Sequence, residues 1–295
     1  MKRTIILIVI VCITLLLVIG CASSQRAEDH VLERNVETLG VWWWAHTDLD
    51  GPYFDFAVKN GINEIFLSTN VFNQRVSDFI ARASEHGVKV YWLQGDWSWI
   101  HNDTHFRNRY VQYLAFNEAQ PENRRFAGIH LNVEPHQDPE WRANPTVMRP
   151  ILIQKLVDFA LKLRDDFPDE HFDHAITFWL NDAVNYKGQQ IPANHAMMMI
   201  SNRVFLMTYR DSAERIFNLG TVPQQIEFAR SLGKTIFLCA ESSYPPEQGT
   251  EVSFRNQGRR FMHEEILKLK DMANYDKLGI AIHHMRTWFD LKDQL

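Results

Sequence analysis

The 295-residue chain carries 31 Lys and Arg against 36 Asp and Glu, a formal net charge of −5. A phosphate-binding surface needs a concentrated basic patch and none appears, so nucleic acid is excluded as an expected partner. With 45% hydrophobic residues the chain has the material for an ordinary packed core, which excludes a disordered or disulfide-scaffold class.

Lys2 and Arg3 precede an apolar run over 5–19, the charged-then-apolar order of a secretory signal. The run is shorter than the roughly 20 residues a transmembrane helix needs. It closes with Leu17-Val18-Ile19-Gly20-Cys21, which resembles the bacterial lipobox. The resemblance implies cleavage after Gly20, acylation of Cys21, and a lipid-anchored protein of the bacterial cell membrane or outer membrane, facing the periplasm or the exterior. Residues 1–20 then form the signal peptide, 21–35 the lipidated cysteine and a polar tether, and 36–295 one folded domain. Loss of Cys12 with the signal leaves Cys21 and Cys239, and no intramolecular disulfide is expected.

Along the folded part, eight short runs rich in β-branched and aromatic residues read as strands, at 39–44, 64–68, 89–94, 128–133, 174–179, 203–208, 235–240 and 279–285. Amphipathic stretches at 76–85, 151–165, 222–232 and 260–272 read as helices between them, with Gly87 and Gly233 as C-terminal stops. Eight strand-helix units predict a single (β/α)8 TIM barrel. The least regular unit is the fifth, where 181–199 lacks a clear helix. An open doubly wound sheet is the alternative, disfavoured because no Gly-rich phosphate loop follows the first strand.

In such a barrel the chemistry sits at the C-terminal strand ends. Those positions are polar and aromatic: Trp44 and His46 after the first strand, Asp96, Trp97 and Trp99 after the third, and His130, Asn132, Glu134 and His136 on and after the fourth. Trp179 and Asn181 follow the fifth, Tyr209 and Arg210 the sixth, Glu241 the seventh, and His284, Arg286 and Trp288 the eighth. Alternation puts His130, Asn132 and Glu134 on one side of their strand, with Leu131 and Val133 facing the helices. Polar groups inside a barrel are costly unless hydrogen-bonded, so their presence asks for a function. A carboxyl on a strand tip among aromatics is placed for a raised pKa, and Glu134 is therefore the expected general acid. Flat tryptophan faces suit pyranose rings. Alternation sends Trp43 away from Trp42 and Trp44, Trp92 reads as core, and Trp97, Trp99, Trp179 and Trp288 are expected to face a ligand.

The run from Phe126 to Glu134 resembles the fourth-strand motif of chitinase-like family 18 glycoside hydrolases, Asp-Gly-x-Asp-x-Asp-x-Glu, in which the glutamate donates a proton. His130 and Asn132 stand here in place of its two later aspartates. Met207-Thr208-Tyr209 resembles that family's Met-x-Tyr, and Trp288 falls where its subsite-floor tryptophan lies. A second resemblance is to clan A glycoside hydrolases, whose acid/base precedes a proline after the fourth strand and whose nucleophile ends the seventh. Glu134-Pro135 and Glu241 match those places, with Val133 where that clan has asparagine. Both resemblances imply cleavage of O-glycosidic bonds in a glycan with Glu134 as acid. They differ on whether Glu241, or Tyr209 with a substrate amide, supports the other side of the reaction.

Two other classes stay open. His46, His130, His136, His283 and His284 near strand ends could serve a metal-dependent hydrolase, although the first strand lacks a His-x-His pair and no metal or other cofactor is expected. The replaced aspartates could also mark a non-catalytic carbohydrate-binding lipoprotein.

Overall fold

The structure, a computed structural model, describes residues 38–44, 47–243 and 250–292. The expected signal segment, Cys21, the tether and His46 lie outside the described residues.

All eight expected strands are present as β1 (Leu39–Trp43), β2 (Glu64–Ser68), β3 (Lys89–Gln94), β4 (Ile129–Leu131), β5 (Phe172–Thr177), β8 (Arg203–Met207), β9 (Ile236–Glu241) and β10 (Leu278–His283). They pair in parallel in that order, and β10 returns to β1 to close the barrel. The irregular fifth unit carries an antiparallel hairpin of β6 (Ala183–Tyr186) and β7 (Gln189–Pro192), turned at Lys187 and Gly188 with positive φ. A short helix, α6 (Ala193–Ile200), follows it. The remaining crossovers run through α1 (Tyr53–Lys59), α2 (Gln74–Glu85), α3 (Thr104–Ala119), α4 (Pro139–Ala143), α5 (Pro145–Asp166), α7 (Ala213–Phe217), α8 (Val222–Ser231) and α9 (Arg259–Ala273). The eighth strand stops at His283, two residues before the expected end, and α10 (Met285–Phe289) begins at once. No helix among the described residues is long and apolar enough to cross a membrane.

Strand alternation divides the core in two. Leu39, Val41, Trp43, Trp92, Leu131 and Val133 point outward into the layer shared with the helices. Trp42, Phe66, Tyr91, Leu93, Phe205, Phe237 and Cys239 fill the barrel. The rings of Phe205 and Phe237 stack with centroids 3.9 Å apart.

The base of the barrel is closed by charge. Arg203 donates to both oxygens of Asp173, through Nε at 3.0 Å and Nη2 at 2.6 Å, and through Nη1 to both oxygens of Glu64 at 2.6 and 2.9 Å. Burial pushes the Asp173 carboxyl up, but His171 and Arg203 outweigh it and hold the group down at about 2. Glu64, for which burial outweighs the same arginine, is displaced upward. A buried ion cluster of this kind survives because its lone pairs are filled and the guanidinium lies on aromatic faces, here 4.6 Å from the Tyr91 centroid.

At the other end Gly95, just beyond β3, passes so close to β4 that an added Cβ would lie 2.0 Å from the Asn132 carbonyl oxygen. That approach sets the height at which β4 delivers the residues after it.

Candidate active site

The chain leaves β4 through Asn132 and Val133 and enters a single 3-10 turn, Pro135–Gln137, at Glu134. Proline at the first position of the turn has its φ preset and lacks only a donor that would be unused there. The turn brings three polar side chains together. Asn132 Nδ2 donates to Glu134 Oε1 at 2.9 Å, and His136 Nε2 lies 3.1 Å from Glu134 Oε2. Burial raises the Glu134 carboxyl, but hydrogen bonds from His136, Gln137 and Asn132 and the charge of His136 more than offset it, so the group sits below the usual carboxylate range. The raised pKa expected from the sequence is thus corrected: a strand tip among aromatics was foreseen, but not that three donors would converge on the carboxylate.

Glu241 ends β9 with 4% of its surface exposed. Its Oε1 accepts from the Ser243 backbone N–H and hydroxyl, each at 2.7 Å, and its Oε2 lies 2.7 Å from His283 Nδ1 at the end of the neighbouring strand. Burial is again the largest influence and acts upward, yet His283 and Ser243 prevail and keep the carboxyl low. The Trp44 indole N–H donates to His283 Nε2 at 3.2 Å, so three strand ends, β9, β10 and β1, are tied in one chain of hydrogen bonds.

Tyr209 stands over the middle of the barrel, its ring 5.6 Å from that of His283. Burial, the neighbouring Cys239 and the charges of both Glu241 and Glu134 push its hydroxyl well above the ordinary value, so it is a proton donor throughout the physiological range. Beneath it Thr208 donates to the Cys239 carbonyl at 3.1 Å and accepts from the Cys239 N–H at 3.1 Å, fixing β8 against β9. Cys239 is a buried free thiol. Tyr209 thus lies within electrostatic reach of both Glu134 and Glu241.

An aromatic wall lies on the β4–β5 side. His136 stacks edge-on against Trp179 at 5.6 Å and near Trp141 at 6.4 Å, and the two indoles are 5.9 Å apart. Arg149 grips Asp182 through Nε and Nη2, at 2.8–3.1 Å, while lying over the Trp179 ring. Trp141 and Arg149 were not anticipated, because they come from α4 and α5, beyond the residues that directly follow a strand. On the β2–β3 side, a cavity of about 270 Å3 is lined by Trp44, Asn70, Gln94, Asp96, Trp99, Arg109 and Asn132 among others. It shares His105 with a second cavity bordered by Trp97.

Several expected binding residues are placed elsewhere. His130 is fully buried inside the barrel, accepting from the Trp42 indole at 3.1 Å and packed 4.4 Å from Phe66 and 4.5 Å from Phe205; burial pushes its imidazole down to about 3. It is a neutral core residue, beneath the level of any ligand. Trp288 is also fully buried, because the early turn into α10 swings it outward onto Phe56, with its N–H on His263. It forms no floor to the site. Arg210 folds back onto the Tyr209 carbonyl at 2.6 Å, and Asn181 and Arg286 are exposed. Asp96 caps its own turn by accepting from Ser98. Among the described residues no group of three His, Cys, Asp or Glu side chains is arranged to hold a metal ion. Two of the histidines considered for that role, His136 and His283, serve the two carboxylates instead.

No protein-family model matches the chain, and no curated protein matches it. Among solved structures it is similar to the glycoside hydrolase domain of PelA from Pseudomonas aeruginosa, at 10% identity over 87% of this chain and 98% of that one, with a TM-score of 0.47. It is similar to an intracellular xylanase from Thermoanaerobacterium saccharolyticum, at 11% identity over 87% and 88%, TM-score 0.48. A chitinase of glycoside hydrolase family 18 from Cycas revoluta, in complex with (GlcNAc)3, is similar at 11% identity over 86% and 96%, TM-score 0.49.

Proposed function

We propose that this protein hydrolyses O-glycosidic bonds, with Glu134 as proton donor to the leaving oxygen and Glu241 as the carboxylate that supports the anomeric carbon. The observation that carries the reading is a pair of carboxylates, Glu134 just after β4 and Glu241 at the end of β9, both near enough to Tyr209 for their charges to act on its hydroxyl. Glycoside hydrolysis requires one carboxyl to protonate the departing oxygen and a second negative group to stabilise an oxocarbenium-like transition state. Glu241, held ionised by three hydrogen bonds, suits the second task. Glu134 shares its surroundings with His136, whose Nε2 lies 3.1 Å from its Oε2. The aromatic wall of Trp141 and Trp179 offers the flat faces on which sugar rings stack.

Glu134→Gln keeps the shape and removes the proton. Turnover of a cleaved glycan is expected to fall by about two to four orders of magnitude while binding persists. Undiminished hydrolysis by this variant would remove Glu134 from the mechanism.

The anchoring reading rests on the stretch ending at Cys21. Cys21→Ser is expected to release the protein from the membrane fraction or leave the precursor unprocessed; unchanged processing and membrane association would refute it.

A further inference from the structure

The cavity beside Trp44 and Asn132 contains one cation whose partners are all neutral. Arg109, on α3, donates through Nε to His105 Nε2 at 3.1 Å and through Nη1 to Asn70 and, at 3.4 Å, to Gln94 Oε1. Its Nη2 group bonds to none of the described residues. The one carboxylate lining the same cavity, Asp96, is turned onto Ser98 at 2.7–2.8 Å. Two further lining residues have a buried polar atom without a partner, the donor Nε1 of Trp99 and the acceptor Oδ1 of Asn132. The cavity thus has a fixed guanidinium edge, while the Trp99 indole N–H and the Asn132 amide oxygen are buried behind its lining.

A neutral sugar would leave the guanidinium without a counter-charge. Two of the three guanidinium nitrogens are already held, so the third is oriented before any ligand arrives and less freedom is lost on binding. Charge-assisted bonds from such a group to an oxyanion are roughly twice as strong as neutral ones.

We propose that this cavity is a subsite for a sugar unit bearing an acidic oxygen group, a uronate carboxylate or a sulfate ester, with Arg109 as its counter-ion. The proposal rests on the reading of the ligand as a glycan. The acid would sit on Arg109 Nη2, in a cavity whose lining includes Asn132, the residue that donates to Glu134.

The test is calorimetric binding to the Glu134→Gln protein of oligogalacturonides and of chondroitin sulfate oligosaccharides, against their carboxyl-reduced and desulfated counterparts. At least one acidic form is expected to bind about ten-fold more tightly than its neutral counterpart, a difference of about 1.4 kcal/mol. Preference for the uronate alone assigns a carboxylate, and preference for the sulfated form alone assigns the ester. Adding Arg109→Gln should abolish the preference, and Arg109→Lys should restore part of it. Should Arg109→Gln fail to fold, the preference in the Arg109 protein should shrink between 50 and 500 mM salt, about the range over which exposed charges are screened. Equal binding of acidic and neutral forms, or a preference that survives both Arg109→Gln and high salt, overturns the proposal. Cleavage of a neutral glycan without discrimination sinks this subsite alone. Arg109-dependent binding with no cleavage by the wild-type chain sinks the hydrolase reading alone, and no binding of any oligosaccharide sinks both.

Discussion

His283 Nδ1 lies 2.7 Å from Glu241 Oε2, and because Nε2 of the same ring accepts from the Trp44 indole, the proton of the neutral ring belongs on Nδ1. The imidazole therefore donates to the carboxylate and holds it in one orientation.

The first prediction concerns that donor. Burial alone would raise Glu241, and His283 is the largest influence opposing it. In His283→Ala the Glu241 carboxyl should titrate at higher pH. Glu241 must be ionised to support the anomeric carbon, so the acid limb of the kcat/KM profile should move upward, by about one unit or more. An acid limb that stays in place would show that Glu241 does not set it.

The companion prediction uses His136. Its removal takes away the chief groups of forces that hold Glu134 low against burial. Glu134 must carry a proton to act as acid, and in the intact protein that proton is lost early as pH rises. The alkaline limb of the profile should then lie at acidic pH in the wild type and shift upward in His136→Ala. A shift downward, or none, would separate His136 from the proton donor. Since each variant is expected to move a different limb, measuring both profiles distinguishes the two carboxyl roles.

A third prediction concerns stability and not turnover. Arg203→Ala leaves Asp173 and Glu64 buried without their shared cation, a loss expected to cost about 3–5 kcal/mol in urea unfolding. Asp173, with its pKa depressed from 3.8 to about 2, contributes stability that is full at pH values above its unfolded pKa and is lost as pH falls through about 2. Glu64 has the opposite sign: its raised carboxyl favours the fold below the unfolded pKa, and that contribution is lost as pH rises through the folded value. Asp173→Asn should remove the acid step while keeping most of the packing. A variant at Arg203 as stable as the parent would show that the cluster is dispensable.

How much of this was legible before the structure differs from residue to residue. The alternation of Trp42, Trp43 and Trp44 fixed which indoles enter the barrel, and the strand-end rule located Glu134, Tyr209 and Glu241, because both depend on local periodicity. Trp288 misled because a run of apolar residues does not reveal where a strand gives way to a helix; a two-residue difference carried that side chain out of the site. His130 was rightly sent inward, yet its depth depends on how the neighbouring strands are staggered. The Arg203 cluster joins residues 64, 173 and 203, and nothing local in the sequence announces that three strands will meet there. Trp141, Arg149 and Arg109 lie on helices, where only the packed barrel turns them toward the strand ends.

The crossing at Gly95 bears on how this site could change over generations. With the Asn132 carbonyl 2.0 Å from where a side chain would begin, even alanine there would push the β4 terminus, and Asn132 and Glu134 with it. Position 95 offers no side chain to the reaction, yet in a library of random variants selected for turnover it should tolerate one letter only. The cavity residues Asn70 and Arg109 act through their side chains, so drift in ligand preference can proceed there while the placement of the acid is inherited unchanged.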